Sequence, residues 1–158
     1  MEKIASFQID HLRLLPGLYV SRKDKFGGAV LTTFDMRFKQ PNTEPVMDMP
    51  AIHTIEHLAA TFLRSHKDWA ARDVYFGPMG CRTGFYLILE GDLKPHDILP
   101  LIIELLDWIA AFTGDIPGAS PAECGNYSEQ NLNMAKWECK RYEALLKQNN
   151  DKNFTYPE

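Results

Sequence analysis

The clearest pattern in the chain is the alternation at residues 30–38. Val30, Thr32, Phe34, Met36 and Phe38 fall on one side, and Leu31, Thr33, Asp35 and Arg37 on the other. A period of two predicts a half-buried strand. Upstream, Leu18 to Ser21 predicts a short strand, with Gly27-Gly28 as a turn between the two. Three prolines make Gln40 to Pro50 a loop, and the period then changes. Ile52, Ile55, Ala59, Phe62 and Leu63 share one helical face, and Pro50 suits a first turn behind Asp48 or Met49, giving a helix to about His66. Val74 to Phe76 and Phe85 to Leu89 predict two further strands around Gly77-Pro78-Met79-Gly80.

An apolar helix is expected from about Asp97 to Thr113, stopped by Gly114, with Pro100 confined to its first turn. After a loop from Gly114 to Asn126, a last helix starts with Ser128 as N-cap and carries the stripe Ala135, Cys139, Tyr142, Leu146. Strands early and helices interspersed without regular βαβ alternation predict an α+β fold, with helices packed on a mostly antiparallel sheet. With 158 residues and no linker-like shift, residues 1–158 read as one domain.

Charge and cysteine usage narrow the function. A net charge of −4 without basic runs argues against nucleic acid as partner. The most apolar stretch, Ile98 to Phe112, is interrupted by Glu104 and Asp107, and Met1-Glu2-Lys3-Ile4 opens no signal peptide. The expectation is a cytoplasmic protein without membrane association. Three cysteines are too few for a secreted scaffold, which leaves thiols for metal binding or catalysis.

The chemistry gathers around His53-Thr54-Ile55-Glu56-His57. On a helix, residues four apart lie about 40° apart, so both imidazoles face one way and can share a metal. The apolar stripe is centred elsewhere, Glu56 falls at the edge of the imidazole face, and Ala60 leaves space on the next turn. The plain alternative is two surface histidines beside a solvated glutamate. Two histidines need at least a third protein ligand. Cys124, in an irregular loop before Gly125, is the leading candidate, and Cys81 is the alternative, as ligand or as a thiolate acting beside the metal. Cys139 sits on a core stripe and reads as a small buried hydrophobe. The reversed motif also suits an inverted-motif metallopeptidase, although that reaction leaves Cys81 without a role.

These residues resemble the S-ribosylhomocysteine lyase family, from about Ser6 to about Tyr142. The likeness rests on Ser6-Phe7 with Asp10-His11, on Phe34-Asp35 with Arg37-Phe38, and on His53 to Leu58 with Arg64-Ser65-His66. It continues in Pro78 to Tyr86 and in Cys124-Gly125-Asn126-Tyr127. The resemblance implies a homodimer with two active sites at the subunit interface. It also implies one divalent metal per subunit on His53, His57 and Cys124: ferrous iron, with zinc or cobalt as substitutes. Cys81 matches the family's thiolate base and Glu56 its second acid/base; Ser6, His11 and Arg37 match positions around the sugar.

The implied reaction moves the carbonyl of S-ribosylhomocysteine from C1 to C2 to C3. β-Elimination then gives homocysteine and 4,5-dihydroxy-2,3-pentanedione, the autoinducer-2 precursor. One departure stands out: Tyr75-Phe76-Gly77 occupies the place of the family's usual Asp-x-Ser. Losing a charge-assisted hydrogen bond there costs about 1.5–3 kcal/mol where nothing compensates, which leaves a non-catalytic metal-binding descendant as a further alternative.

Overall fold

The computed structural model describes residues 4–157; Met1 to Lys3, read above for targeting, and Glu158 lie outside the described residues. The element order is α1 (Ala5–Gln8), β1 (Gly17–Phe26), β2 (Ala29–Arg37), α2 (Met49–Ser65), β3 (Asp73–Pro78), β4 (Gly84–Glu90), α3 (Pro95–Ala111) and α4 (Leu132–Lys147). Short 3-10 turns at Ala70–Arg72 and Asp151–Asn153 complete it. The four strands form one antiparallel sheet in the order β1-β2-β4-β3. This is the expected α+β arrangement, with the three long helices on one face of the sheet.

The alternation of β2 decides which face that is. Phe34 and Met36 are buried together with Leu18 of β1, Phe76 of β3 and Phe85, Leu87 and Leu89 of β4. They meet Ile52, Ile55, Leu58 and Leu63 of α2, Ile98, Ile102 and Leu105 of α3, and Ala135, Cys139, Tyr142 and Leu146 of α4. Burying each large apolar side chain contributes roughly 1.5–3 kcal/mol. The outer face carries the other residue set. Cross-strand pairing places Asp35 between Tyr19 and Tyr86, and Gly77 and Tyr75 beside Tyr86 and Ile88.

Several elements differ from these expectations. β1 is ten residues long rather than a short strand, and β3 runs through Gly77 and Pro78, so the turn is Met79 to Thr83. α2 keeps its predicted limits because Asp48 accepts the Ala51 N–H at 3.3 Å and Pro50 needs no N–H in the first turn. α3 starts at Pro95, which makes Pro100 its sixth residue and leaves it inside the helix rather than in the first turn. Pro100 is exposed, where water can take over the His96 carbonyl that loses its helical donor. α4 is capped by Asn131, whose side chain accepts the Met134 N–H at 3.1 Å, and not by Ser128. No helix among the described residues is long and apolar enough to cross a membrane.

Candidate metal centre and thiol site

α2 presents His53 and His57 one turn apart, with their rings nearly perpendicular. Each ring is held from behind by a backbone carbonyl: His53 Nδ1 lies 2.9 Å from Glu129 O, and His57 Nδ1 lies 2.7 Å from Pro117 O. A carbonyl only accepts, so each Nδ1 carries a proton, and in the neutral ring each Nε2 then bears a lone pair. Those two Nε2 atoms face each other at 3.0 Å, and Cys124 Sγ lies 3.4 Å from the one on His53. Two opposed lone pairs beside a sulfur repel one another unless a cation sits among them, so this donor set fits a metal ion. The ligand atoms of His53, His57 and Cys124 all lie within 4.8 Å of one another. Two nitrogens and a thiol within that span leave the geometry open for a further ligand.

The surrounding loops are built to hold this arrangement. Gly118 has φ +71°, and a Cβ there would sit 3.2 Å from His57 Nδ1, so this close approach requires glycine. On the other side, the buried Thr54 hydroxyl donates to Gln130 Oε1 at 2.7 Å and accepts the Asn131 N–H at 2.9 Å. It therefore fixes the segment whose Glu129 carbonyl orients His53. Replacing Thr54 by valine keeps the shape but removes both bonds. Metal affinity is expected to fall about 10–100-fold, as for other outer partners of ligating histidines, and a competition titration against a chromophoric chelator reads it. Glu56 lines the same cleft, with Ala60, Pro117 and Cys124.

Cys81 lies elsewhere. It sits in the β3–β4 turn, exposed, and lines no part of the cleft around His53 and Cys124. Its sulfur is 3.1 Å from Thr83 Oγ1 and 3.9 Å from Arg37 Nη1. Arg37 Nη1 donates to Thr83 Oγ1 at 2.7 Å, which leaves the Thr83 proton free for the sulfur. Burial acts to raise the thiol, but the Thr83 hydrogen bonds and the Arg37 guanidinium outweigh it and hold Cys81 below its ordinary value. Cys139, by contrast, is fully buried, and desolvation pushes its thiol up.

Arg37 is 2% exposed rather than part of a solvent-facing strand surface, because both faces of β2 are covered there. Ser6 opens onto the outer sheet face with Arg22, Thr33, Tyr75 and Tyr86, and His11, in the segment before β1, has its Nδ1 2.8 Å from Ile9 O. One chain therefore brings His53, Glu56, His57 and Cys124 into one group and Cys81 with Arg37 into another. Tyr75 folds over Gly77, where a Cβ would lie 2.0 Å from the phenol oxygen, so the tyrosine requires the neighbouring glycine. Sequence reasoning assigned no role to Thr83 or Asp35, although each lies two residues from a candidate: Asp35 on the same side of β2 as Arg37, and Thr83 in the same turn as Cys81.

Fold and cluster together define an α+β chain with a candidate metal site formed by two histidines of α2 and a cysteine of the loop before α4, and a separate thiol beside Arg37 and Thr83. The profile of the S-ribosylhomocysteinase (LuxS) family matches residues 4–153. The chain is 61% identical to the S-ribosylhomocysteine lyase of Clostridium beijerinckii over 99% of both chains. It is 58% identical to that of Clostridium acetobutylicum over the whole of both, and 53% identical to that of Phocaeicola vulgatus over 99% and 98%. The chain belongs to the S-ribosylhomocysteinase family.

Proposed function

We propose that this chain is a carbon–sulfur lyase that converts S-ribosylhomocysteine to homocysteine and 4,5-dihydroxy-2,3-pentanedione. The observation that carries the reading is the convergence of two imidazole lone pairs and a thiol on one point, in a member of this family. His53, His57 and Cys124 would hold one divalent ion, which supplies Lewis acidity towards a sugar oxygen when bound. Imidazole and thiolate suit iron, cobalt and zinc, and ferrous iron is the ion we assign.

The remaining chemistry is proton movement by side chains. Cys81, as a thiolate, takes the C2 proton of the open-chain aldose and returns it at C1, moving the carbonyl to C2; the same exchange from C3 to C2 moves it to C3. Glu56 carries protons between the hydroxyl and carbonyl oxygens during these shifts. With the carbonyl at C3, Glu56 takes the C4 proton and the C5 sulfur leaves as homocysteine thiolate with the bonding pair; the resulting enol gains a proton at C5 and loses its hydroxyl proton to give the 2,3-dione. Ser6, His11 and Arg37 hold the sugar.

Because the Cys81 group and the His53 group are separate within one chain, we assign the working unit to a homodimer with two sites at its interface, placed in the cytoplasm. Anaerobically purified, iron-loaded protein is expected to release free thiol from S-ribosylhomocysteine, followed with a thiol reagent. Metal-replete, folded protein that releases none overturns the reading.

A further inference from the structure

β2 carries two charged side chains in its most buried stretch: Asp35 is 0% and Arg37 2% exposed. Charges so placed persist only where hydrogen bonds replace water. Arg37 Nη2 donates to Asp35 Oδ2 at 2.7 Å, and Arg37 Nη1 reaches Thr83 and Cys81 as described. Asp35 Oδ1 and Arg37 Nε have no partner among the described residues, so the pair is placed by few bonds. One of those bonds comes from the far end of the sequence: Tyr156 Oη donates to Asp35 Oδ2 at 2.9 Å.

We propose that Tyr156 is a positioning residue for Cys81, acting through Asp35 and Arg37 to keep one guanidinium nitrogen on Thr83 and the sulfur. The role rests on the assignment of Cys81 as the base of the reaction proposed above.

Tyr156 is delivered by a segment fixed at several points. Asn153 Nδ2 donates to Pro16 O at 2.7 Å, and Phe154 packs against His96 with ring centroids 4.5 Å apart. The Tyr156 ring stacks on Tyr19 at 4.7 Å and 16°. Burial and the Asp35 charge push its phenol well up, so it stays a donor. With that donor on Oδ2, the carboxylate charge is shared between two partners and Arg37 is free to fork between Asp35 and Thr83. Without it, Asp35 is left with the guanidinium alone and draws it inward, away from Thr83 and the sulfur. The titratable groups around this network are Asp35 and Arg37 from β2, Tyr19 from β1, Tyr86 from β4 and His11 from the segment before β1. Tyr19 and Tyr86 are both pushed up, first by burial, so they stay neutral, and Arg37 is the charge that acts directly on the thiol.

The test is alkylation of Cys81 by iodoacetamide across pH in the full chain, read at that residue by peptide mass spectrometry. Tyr156→Phe keeps the stacked ring and removes only the hydroxyl. Its profile is expected to move to higher pH, with alkylation several-fold slower at neutral pH and metal content unchanged. Tyr19→Phe is the control: it loses a hydroxyl from the same stack, one that bonds Leu15 O and Lys152 O and not Asp35. Its profile is expected to match the unmutated chain. A Tyr156→Phe profile that stays in place, moves to lower pH, or is equalled by that of Tyr19→Phe overturns the proposal. Because the readout is thiol reactivity, failure here leaves the lyase reading standing, whereas absence of turnover removes the base that Tyr156 would position without moving the alkylation profile.

Discussion

Replacing Cys124 by alanine is expected to strip the chain of bound metal while leaving its fold in place. The variant keeps both imidazoles, but two nitrogens from one helix turn form only half of a tetrahedral set. The third donor is the link between α2 and the loop that carries Pro117, Gly118 and Cys124, so an ion held there would join two elements that otherwise meet through side-chain and carbonyl contacts. Elemental analysis after dialysis against a weak chelator should find a small fraction of the metal the unmutated chain retains. The same loss has a thermodynamic signature. An ion that binds only the folded chain adds about 2.7 kcal/mol when its free concentration is a hundredfold above Kd, so added metal should raise the Tm of the unmutated chain and leave that of Cys124→Ala nearly unmoved. Full metal retention by the variant would falsify the assignment of Cys124 as a ligand.

The helix that carries the histidines was legible because its signals are local. Asp48 and Pro50 mark its start, and the His53/His57 pair is set apart from Ile52, Ile55 and Ala59 by helical geometry alone. The stripe Ala135, Cys139, Tyr142, Leu146 was equally plain, and all four residues are buried. What escaped depends on contacts between distant segments. Ser128 and Asn131 are both good capping residues; Asn131 prevails because its N–H meets Thr54 Oγ1 and its side chain reaches Asp48 Oδ2 at 3.3 Å. The alternation of β2 correctly separates its faces but implies a wet outer one. Asp35 and Arg37 are instead dry, and Tyr156 of the C-terminal segment bonds Asp35 there. Within the metal centre the carbonyls of Pro117 and Glu129 leave almost no trace in the sequence, since any residue supplies a carbonyl; Gly118, which makes room for His57, is the one local sign.

Cys81→Ala is expected to lower turnover by about 10²–10⁴-fold, the usual contribution of a positioned acid/base group, with metal content and melting temperature close to those of the unmutated chain. Cys81 is exposed and in a turn, so removing its sulfur opens no core cavity, which separates this outcome from a folding defect. The pH dependence follows from the direction of the thiol's shift. The reaction as proposed requires the thiolate, and the folded chain holds Cys81 below an ordinary thiol. The rate should therefore rise with pH and level off sooner than a free cysteine would allow. Thr83→Val removes the hydroxyl beside the sulfur and the acceptor for Arg37 Nη1. Both changes withdraw a stabilising influence from the thiolate, so the rising limb must move to higher pH. A Cys81→Ala protein that still turns over at the unmutated rate would remove the thiol from the mechanism and leave Glu56 as the remaining proposed acid/base. A Thr83→Val limb that stays in place would show that the Thr83–Arg37 pair does not set the thiol's titration.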